Sequence, residues 1–211
     1  MSILAIILAA GFSKRMGENK LLLEYKGKTF VQTIIEKLLE INFNKIILVV
    51  SNLEIYKKYE KYDKKVFVIF NDKAEKGISE SIKKAVTYAK NNLEVDKYMF
   101  FVADQPLLKK ETILKIIEES SSNKITVPKS NNIMYNPVVF PNKYTSELLN
   151  LEGDRGGKQI ILNHLDDITF VDIENDSEFQ DVDIIEEYLK LINERKLWNL
   201  ILMKNIMIMF L

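Results

Sequence analysis

The chain has 211 residues, enough for one well-buried domain and too few for two ordinary ones. Apolar residues make up 47% and charged residues 28%, a soluble globular composition, and 30 basic against 30 acidic side chains leave no net charge for a broad grip on nucleic acid. Cysteine is absent and His164 is the single histidine, which excludes disulfides, thiolate nucleophiles and multi-histidine metal sites within one chain.

The first apolar run, Ile3–Leu8, predicts a buried strand. It carries no basic flank or small-residue cleavage site of an export signal, so the expected location is cytoplasmic, with neither membrane nor nucleic acid as partner. The strand empties into AAGFSKRMGENK, residues 9–20. Gly11 and Gly17 permit close approach of a ligand to the main chain, Arg15 offers a planar fork of donors to phosphate oxygens, and Lys20 a mobile point charge. This is the composition of a triphosphate cradle, although neither GxxxxGK[ST] nor GxGxxG occurs; on local grounds alone, a surface loop with solvated charges is the favoured reading.

A helix follows, with Phe30, Ile34 and Leu38 on one face beside Val31, Ile35 and Leu39, and Thr29 and Gln32 in capping-box positions. Further strands are predicted at Ile46–Val50, Val66–Phe70 and Tyr98–Ala103. Helical spacing recurs at Ile78, Ile82, Ala85, Val86 and Ala89, and at Ile113, Ile116 and Ile117. This alternation implies a mainly parallel sheet covered on both faces. Beyond residue 120 the regularity weakens: Ser120–Ser122 mark a turn, Ile125–Val127, Val138–Phe140 and Ile168–Ile173 suit strands, and Tyr144–Leu149 and Lys158–Asn163 suit helices. Ile184, Ile185, Tyr188, Leu189 and Ile192 give a closing helix, with Asp183 and Glu186 as N-cap and box partner. The apolar tail Leu197–Leu211 is shorter than a membrane span and interrupted by Lys204; a packing arm, an oligomer contact or an extension without a role all accommodate it, with Met203, Met207 and Met209 as filler or interface.

In open parallel sheets ligands bind at the carboxyl ends of the strands. Asp104-Gln105-Pro106 leaves one such end and the basic loop another. A carboxylate facing a triphosphate cradle suggests magnesium, which favours oxygen ligands and commonly takes one or two carboxylates plus substrate phosphates. Gly77-Ile78-Ser79-Glu80-Ser81 offers helix-terminal amides and hydroxyls to a base or phosphate, with plain capping by Ser79 as the structural alternative. Nothing near His164 supplies a metal partner, so packing or surface roles account for it.

In order and spacing, LAAGFSKRMGENKLLL, GISESI, VADQPLL, NPVVF, LEGDRGGKQII and the late DVD before EEY resemble the molybdenum cofactor cytidylyltransferases among the MobA-like nucleotidyltransferases, up to about Leu191. The related guanylyl branch more usually carries LAGG at the loop. The resemblance implies a three-layer α/β/α nucleotidyltransferase fold, Rossmann-like and GT-A-like, around a mostly parallel sheet, with residues 1–195 as the transferase domain and 196–211 as the tail. It implies CTP bound by Leu8, Ala9, Ala10 and Gly11, with Gly77 and Ser81 beside the base and Arg15 and Lys20 on the phosphates. Asp104 and Asp183 would hold Mg2+, and the catalytic set would be Lys20, Arg15 and Asp104. Gln105, Asn136, Pro137, Gly153, Asp154, Arg155 and Gly156 would face the acceptor, a molybdopterin-type cofactor. The product would be CMP-linked cofactor plus pyrophosphate, with a molybdenum hydroxylase as possible recipient. Guanylyl or other nucleotidyl transfer to a pterin or sugar phosphate, and a carrier without turnover, are the alternatives. Two departures stand out: Ile184 and Ile185 replace the family's usual Thr-Pro, and Tyr135 stands where glycine is common.

Overall fold

The computed structural model describes residues 2–11, 20–41 and 43–193. Arg15, Gly17 and the tail lie outside the described residues. The elements run β1 (Ile3–Ala9), β2 (Glu24–Tyr25), β3 (Lys28–Thr29), α1 (Phe30–Ile41), β4 (Ile46–Val50), α2 (Leu53–Tyr59), β5 (Val66–Phe70) and α3 (Ile78–Asn92). They continue with β6 (Lys97–Val102), α4 (Lys110–Glu118), β7 (Ile125–Ser130), β8 (Ile133–Met134), β9 (Val138–Pro141), α5 (Thr145–Leu149), α6 (Lys158–Asn163) and β10 (Ile168–Asp172). Residues 185–193 form a closing helix.

The main sheet has the order β10-β7-β9-β6-β1-β4-β5, with β8 attached to β7. β1 lies in the middle, parallel to β4 and β6, and β4 is parallel to β5. β9 runs antiparallel to both β6 and β7, and β10 returns parallel to β7. The parallel half consists of strands buried on both sides, which is why their sequences are continuous apolar runs instead of alternating ones. β4 has no exposed residue at all.

Period-2 alternation then divides the core into two layers. Ala5, Ile7 and Ala9 of β1 join the cluster packed by Val31, Ile34, Ile35 and Leu38 of α1 together with Ile113 and Ile116 of α4. Leu4 and Ile6 point the other way, toward Ile82, Ala85, Val86 and Ala89 of α3 and Ile160 and Ile161 of α6. The three-layer α/β/α architecture follows directly from this partition.

Local capping differs from the sequence reading at three places. At α1, Thr29 Oγ1 accepts from the Gln32 amide (3.2 Å), but the Gln32 side chain donates to Glu36 instead of returning to the cap. At α3 the N-cap is Gly77, and Ser79 does not cap: it is buried, with an Oγ that has no hydrogen-bond partner among the described residues. At the closing helix Glu187, not Glu186, reaches back to the amides of Asp183 (2.7 Å) and Ile184 (3.2 Å), because the helix starts at residue 185 and Glu187 lies three residues past its cap position.

Candidate active site

Two cavities open along the carboxyl ends of the central strands. The smaller, about 260 Å³, is lined by Leu8, Ala9, Ala10 and Gly11 as the chain leaves β1, by Gly77 and Ser81 at the start of α3, and by Lys20, Asp104 and Asp154. The larger, about 480 Å³, is walled by apolar side chains of β6, β7 and β9, with Tyr135, Asn136, Gly156 and Lys158 among its polar or small positions. They share Leu8, Ile78 and Val102, so a ligand in one adjoins a ligand in the other.

The charged centre lies on the smaller cavity. Lys20 opens a short 3-10 turn, Lys20–Leu22, in which Leu21 is buried and fixes the lysine's position. Its ammonium donates to Asp104 Oδ2 and to Asp183 Oδ1, both at 2.6 Å. Burial alone would lower the Lys20 pKa; the neighbouring charge of Asp104, with that of Asp183, outweighs it and holds the group above the ordinary lysine range. Asp104 sits two residues past the end of β6, and its Oδ1 is buried without a hydrogen-bond partner among the described residues. Such orphaned atoms are rare and mark a missing ligand or a functional strain.

The chain around Asp183 is a strap laid over the end of β6. Val182 N donates to Asp104 O (3.2 Å), and Gln105 Nε2 donates to Phe179 O (3.0 Å) and Asp181 Oδ1 (2.9 Å). Phe179 stacks on Tyr135 with ring centroids 4.5 Å apart. Glu178, buried, accepts from Lys109 N. Burial, and then the charge of Asp104, push the Asp181 carboxyl above the usual aspartate range.

A hard divalent cation suits this donor set. It offers a buried, unpartnered carboxylate oxygen on Asp104 and a second carboxylate within reach of the same ammonium. Among the described residues no group of three or more His, Cys, Asp or Glu could hold a metal, so any ion would depend on water and substrate phosphates to complete its shell. Magnesium binds in that manner.

Leu8, Ala9, Ala10, Gly11, Lys20, Gly77, Ser81 and Asp104 all line the smaller cavity, and Asn136 and Gly156 the larger. Asp154 falls on the smaller cavity, whereas Gln105, Pro137, Gly153 and Arg155 line neither. Gly153 instead docks on α3: its carbonyl accepts from Ser79 N at 3.1 Å, and a Cβ on Gly77 would lie 2.2 Å from its carbonyl carbon. With φ at +108°, Gly77 is doubly required. His164 pairs with Glu147 (2.9 Å) and packs edge-on against Tyr144, away from both cavities.

Sequence reasoning missed Asn71, Ser51 and Asp181. Asn71 is almost fully buried and donates to Ser81 Oγ (2.9 Å), while Ser51 Oγ donates to Ala10 O (3.2 Å). Both follow directly on an apolar strand run, the same signal that identified Asp104.

Comparison with known proteins bears on the family and the fold. Residues 5–168 match the MobA-like NTP transferase domain. The chain is 29% identical over 125 residues to the bifunctional protein GlmU of Francisella philomiragia, covering 58% of this chain but only 27% of that protein. It is 27% identical over 190 residues to the probable molybdenum cofactor guanylyltransferase of Methanosarcina acetivorans (85% of this chain, 80% of that one). It is 30% identical over 157 residues to the one of Pyrococcus horikoshii (74% and 76%). Among solved structures, Rv0371c of Mycobacterium tuberculosis superimposes with a TM-score of 0.78 at 21% identity, over 91% of this chain and 97% of that one. The same protein has also been solved as a complex with manganese, with a TM-score of 0.75 at 20% identity over 92% and 99%.

Proposed function

This chain belongs to the MobA-like NTP transferase family, and on that premise we propose that it transfers CMP from CTP to the phosphate of a molybdopterin-type molybdenum cofactor, releasing pyrophosphate. The observation that carries the reading is Lys20 held between Asp104 and Asp183 on the wall of a cavity lined by residues 8–11. The nucleotide would occupy that smaller cavity and the acceptor the larger one, which meet at Leu8, Ile78 and Val102.

An oxygen of the acceptor phosphate attacks the α-phosphorus of CTP, the bond from that phosphorus to the bridging oxygen breaks, and pyrophosphate leaves. The nucleophile is already anionic, so no protein base is needed. What the protein must supply is in-line positioning and fixed positive charge. Lys20 neutralises the α-phosphate, and Arg15 is assigned to the leaving pyrophosphate. Asp104 and Asp183 would hold magnesium, which when bound contributes charge among the phosphate oxygens. Asn136 and Gly156 would face the acceptor, as would Asp154 from the wall of the smaller cavity. A molybdenum hydroxylase would receive the product.

The choice of CTP is supported by Ala10 on the cavity wall, where the guanylyl branch more usually has glycine; an added methyl there favours the smaller pyrimidine. Guanylyl transfer is the second reading, favoured by the names of the Methanosarcina and Pyrococcus relatives. Thermal stabilisation by CTP, GTP, ATP and UTP, followed by pyrophosphate release with molybdenum-loaded pterin and Mg2+, decides between them. Release with CTP is the expected result. Release with GTP alone selects the guanylyl reading, and tight nucleotide binding without release would make the protein a carrier.

A further inference from the structure

Gln105 lines neither cavity, yet its carboxamide is buried at 5% exposure. A primary amide has two N–H groups, and here both are spent on one segment: Nε2 donates to Phe179 O at 3.0 Å and to Asp181 Oδ1 at 2.9 Å. The opposite amide orientation would set an oxygen against two acceptors, so the hydrogen-bond pattern fixes which atom faces the strap. One residue earlier, Asp104 O accepts from Val182 N. The dipeptide Asp104-Gln105 is thus tied to residues 179–182 by three hydrogen bonds, and the next residue of the strap is Asp183.

We infer that Gln105 and Asp181 are positioning residues that set the distance between the carboxylates of Asp104 and Asp183, and so build the cation site, without touching either substrate. The inference rests on the reading of Asp104 and Asp183 as the carboxylate pair of the transfer site. Asp183 itself is half exposed, with its side chain at 49%, and could not be held by burial. Its neighbours hold it: Phe179 and Val182 are buried, and the Gln105 amide locks the backbone between them and the end of β6. Glutamine suits this task because glutamate at 105 would face a carbonyl and a carboxylate with acceptors only.

The test uses Mn2+ titration of the protein with saturating inorganic triphosphate, which supplies the phosphate oxygens the site needs, hydrogen exchange at Val182 and steady-state kinetics. Gln105→Glu is expected to weaken Mn2+ binding and lower kcat by about 10–100-fold, the range for partners that orient metal ligands, with the nucleotide KM little changed and Val182 exchanging faster. Asp181→Asn keeps an oxygen acceptor for Gln105 and should stay within about threefold of wild type, whereas Asp181→Ala should resemble Gln105→Glu. The double variant Q105E/D181N turns the bond round, with the new amide donating to the new carboxylate, and should regain about tenfold over Q105E alone.

Wild-type Mn2+ affinity and kcat in Gln105→Glu would overturn the inference, as would a double variant no better than the single one. A rise in acceptor KM alone would also overturn it, and would make Gln105 an acceptor contact. Should Gln105→Glu fail to fold, the contrast between Asp181→Asn and Asp181→Ala decides. If wild-type protein releases no pyrophosphate from any nucleoside triphosphate, the functional reading fails; the Mn2+ titration and hydrogen exchange still report on the strap.

Discussion

The two halves of the sheet solve different problems. From β1 to α4 the main-sheet strands form a regular parallel array, interrupted by the small antiparallel β2–β3 pair, and the connecting segments carry the charged groups Lys20 and Asp104. From β7 onward the antiparallel β9 and the β7–β8 hairpin complete, with β6 and the loop at Tyr135 and Asn136, the walls of a largely apolar chamber. One half concentrates charge at its strand ends and the other offers a mostly apolar wall on which Lys158 is the charged position. A nucleotidyltransferase that brings a triphosphate beside a second molecule can use both, and the strap from Phe179 to Asp183 is where the second half contributes charge to the first.

The sharpest way to break this division is to remove charge from the first half. Asp104→Ala should lower the rate of pyrophosphate release by about three powers of ten, the upper end for loss of a preorganised electrostatic group. The variant should still fold but melt somewhat earlier than wild type, because loss of the Lys20 ion pair is only partly offset by removal of a buried oxygen without a partner. Lys20→Ala should cost about two powers of ten in the single-turnover rate with a smaller change in nucleotide affinity. Weaker binding at unchanged turnover would move Lys20 from the transition state to the ground state.

The seam between the halves is tested by Gly77→Ala. A Cβ would meet Gly153 at 2.2 Å in a left-handed backbone conformation, so chemical denaturation should show a loss of about 2–3 kcal/mol together with weaker nucleotide binding. Normal stability would mean that α3 and the Gly153 loop separate easily.

The smallest effect lies behind the site. Lys37 is pushed down to about 8, mainly by burial, while its ammonium donates to Leu108 O. A lysine whose folded pKa is depressed opposes folding below that pKa, since the unfolded chain binds the extra proton; stability should therefore rise as pH increases from about 8 to 10. The raised pKa of Lys20 acts only above that window. Allowing for partial exposure, the gain should be about 2 kcal/mol in urea titrations, and Lys37→Met should reduce it, leaving the part due to Lys97, whose pKa burial also lowers.

The parallel half was legible because fully buried strands read as unbroken apolar runs, and the rim carboxylate follows such a run directly. β4, β5 and α6 have the predicted bounds. The capping assignments were not legible in the same way. Ser79 and Glu186 have the right chemistry at the right spacing, but the choice between Ser79 and Gly77 goes with the contact of α3 to Gly153 far along the chain, and that between Glu186 and Glu187 with the start of the closing helix at residue 185. Gln105 shows the same limit, since adjacency to Asp104 places it near the acceptor and only the folded strap shows which partners take its amide.

By itself, then, the sequence determined the strand and helix alternation, the basic loop after β1 and the acid after β6, because each depends on local periodicity and on the rule that ligands gather at strand ends. Tertiary structure alone decided that Lys20 meets an aspartate 84 residues away and another 163 residues away on one ammonium group. Such a meeting is set by sheet order and by the course of the strap, and neither leaves a trace in residue spacing.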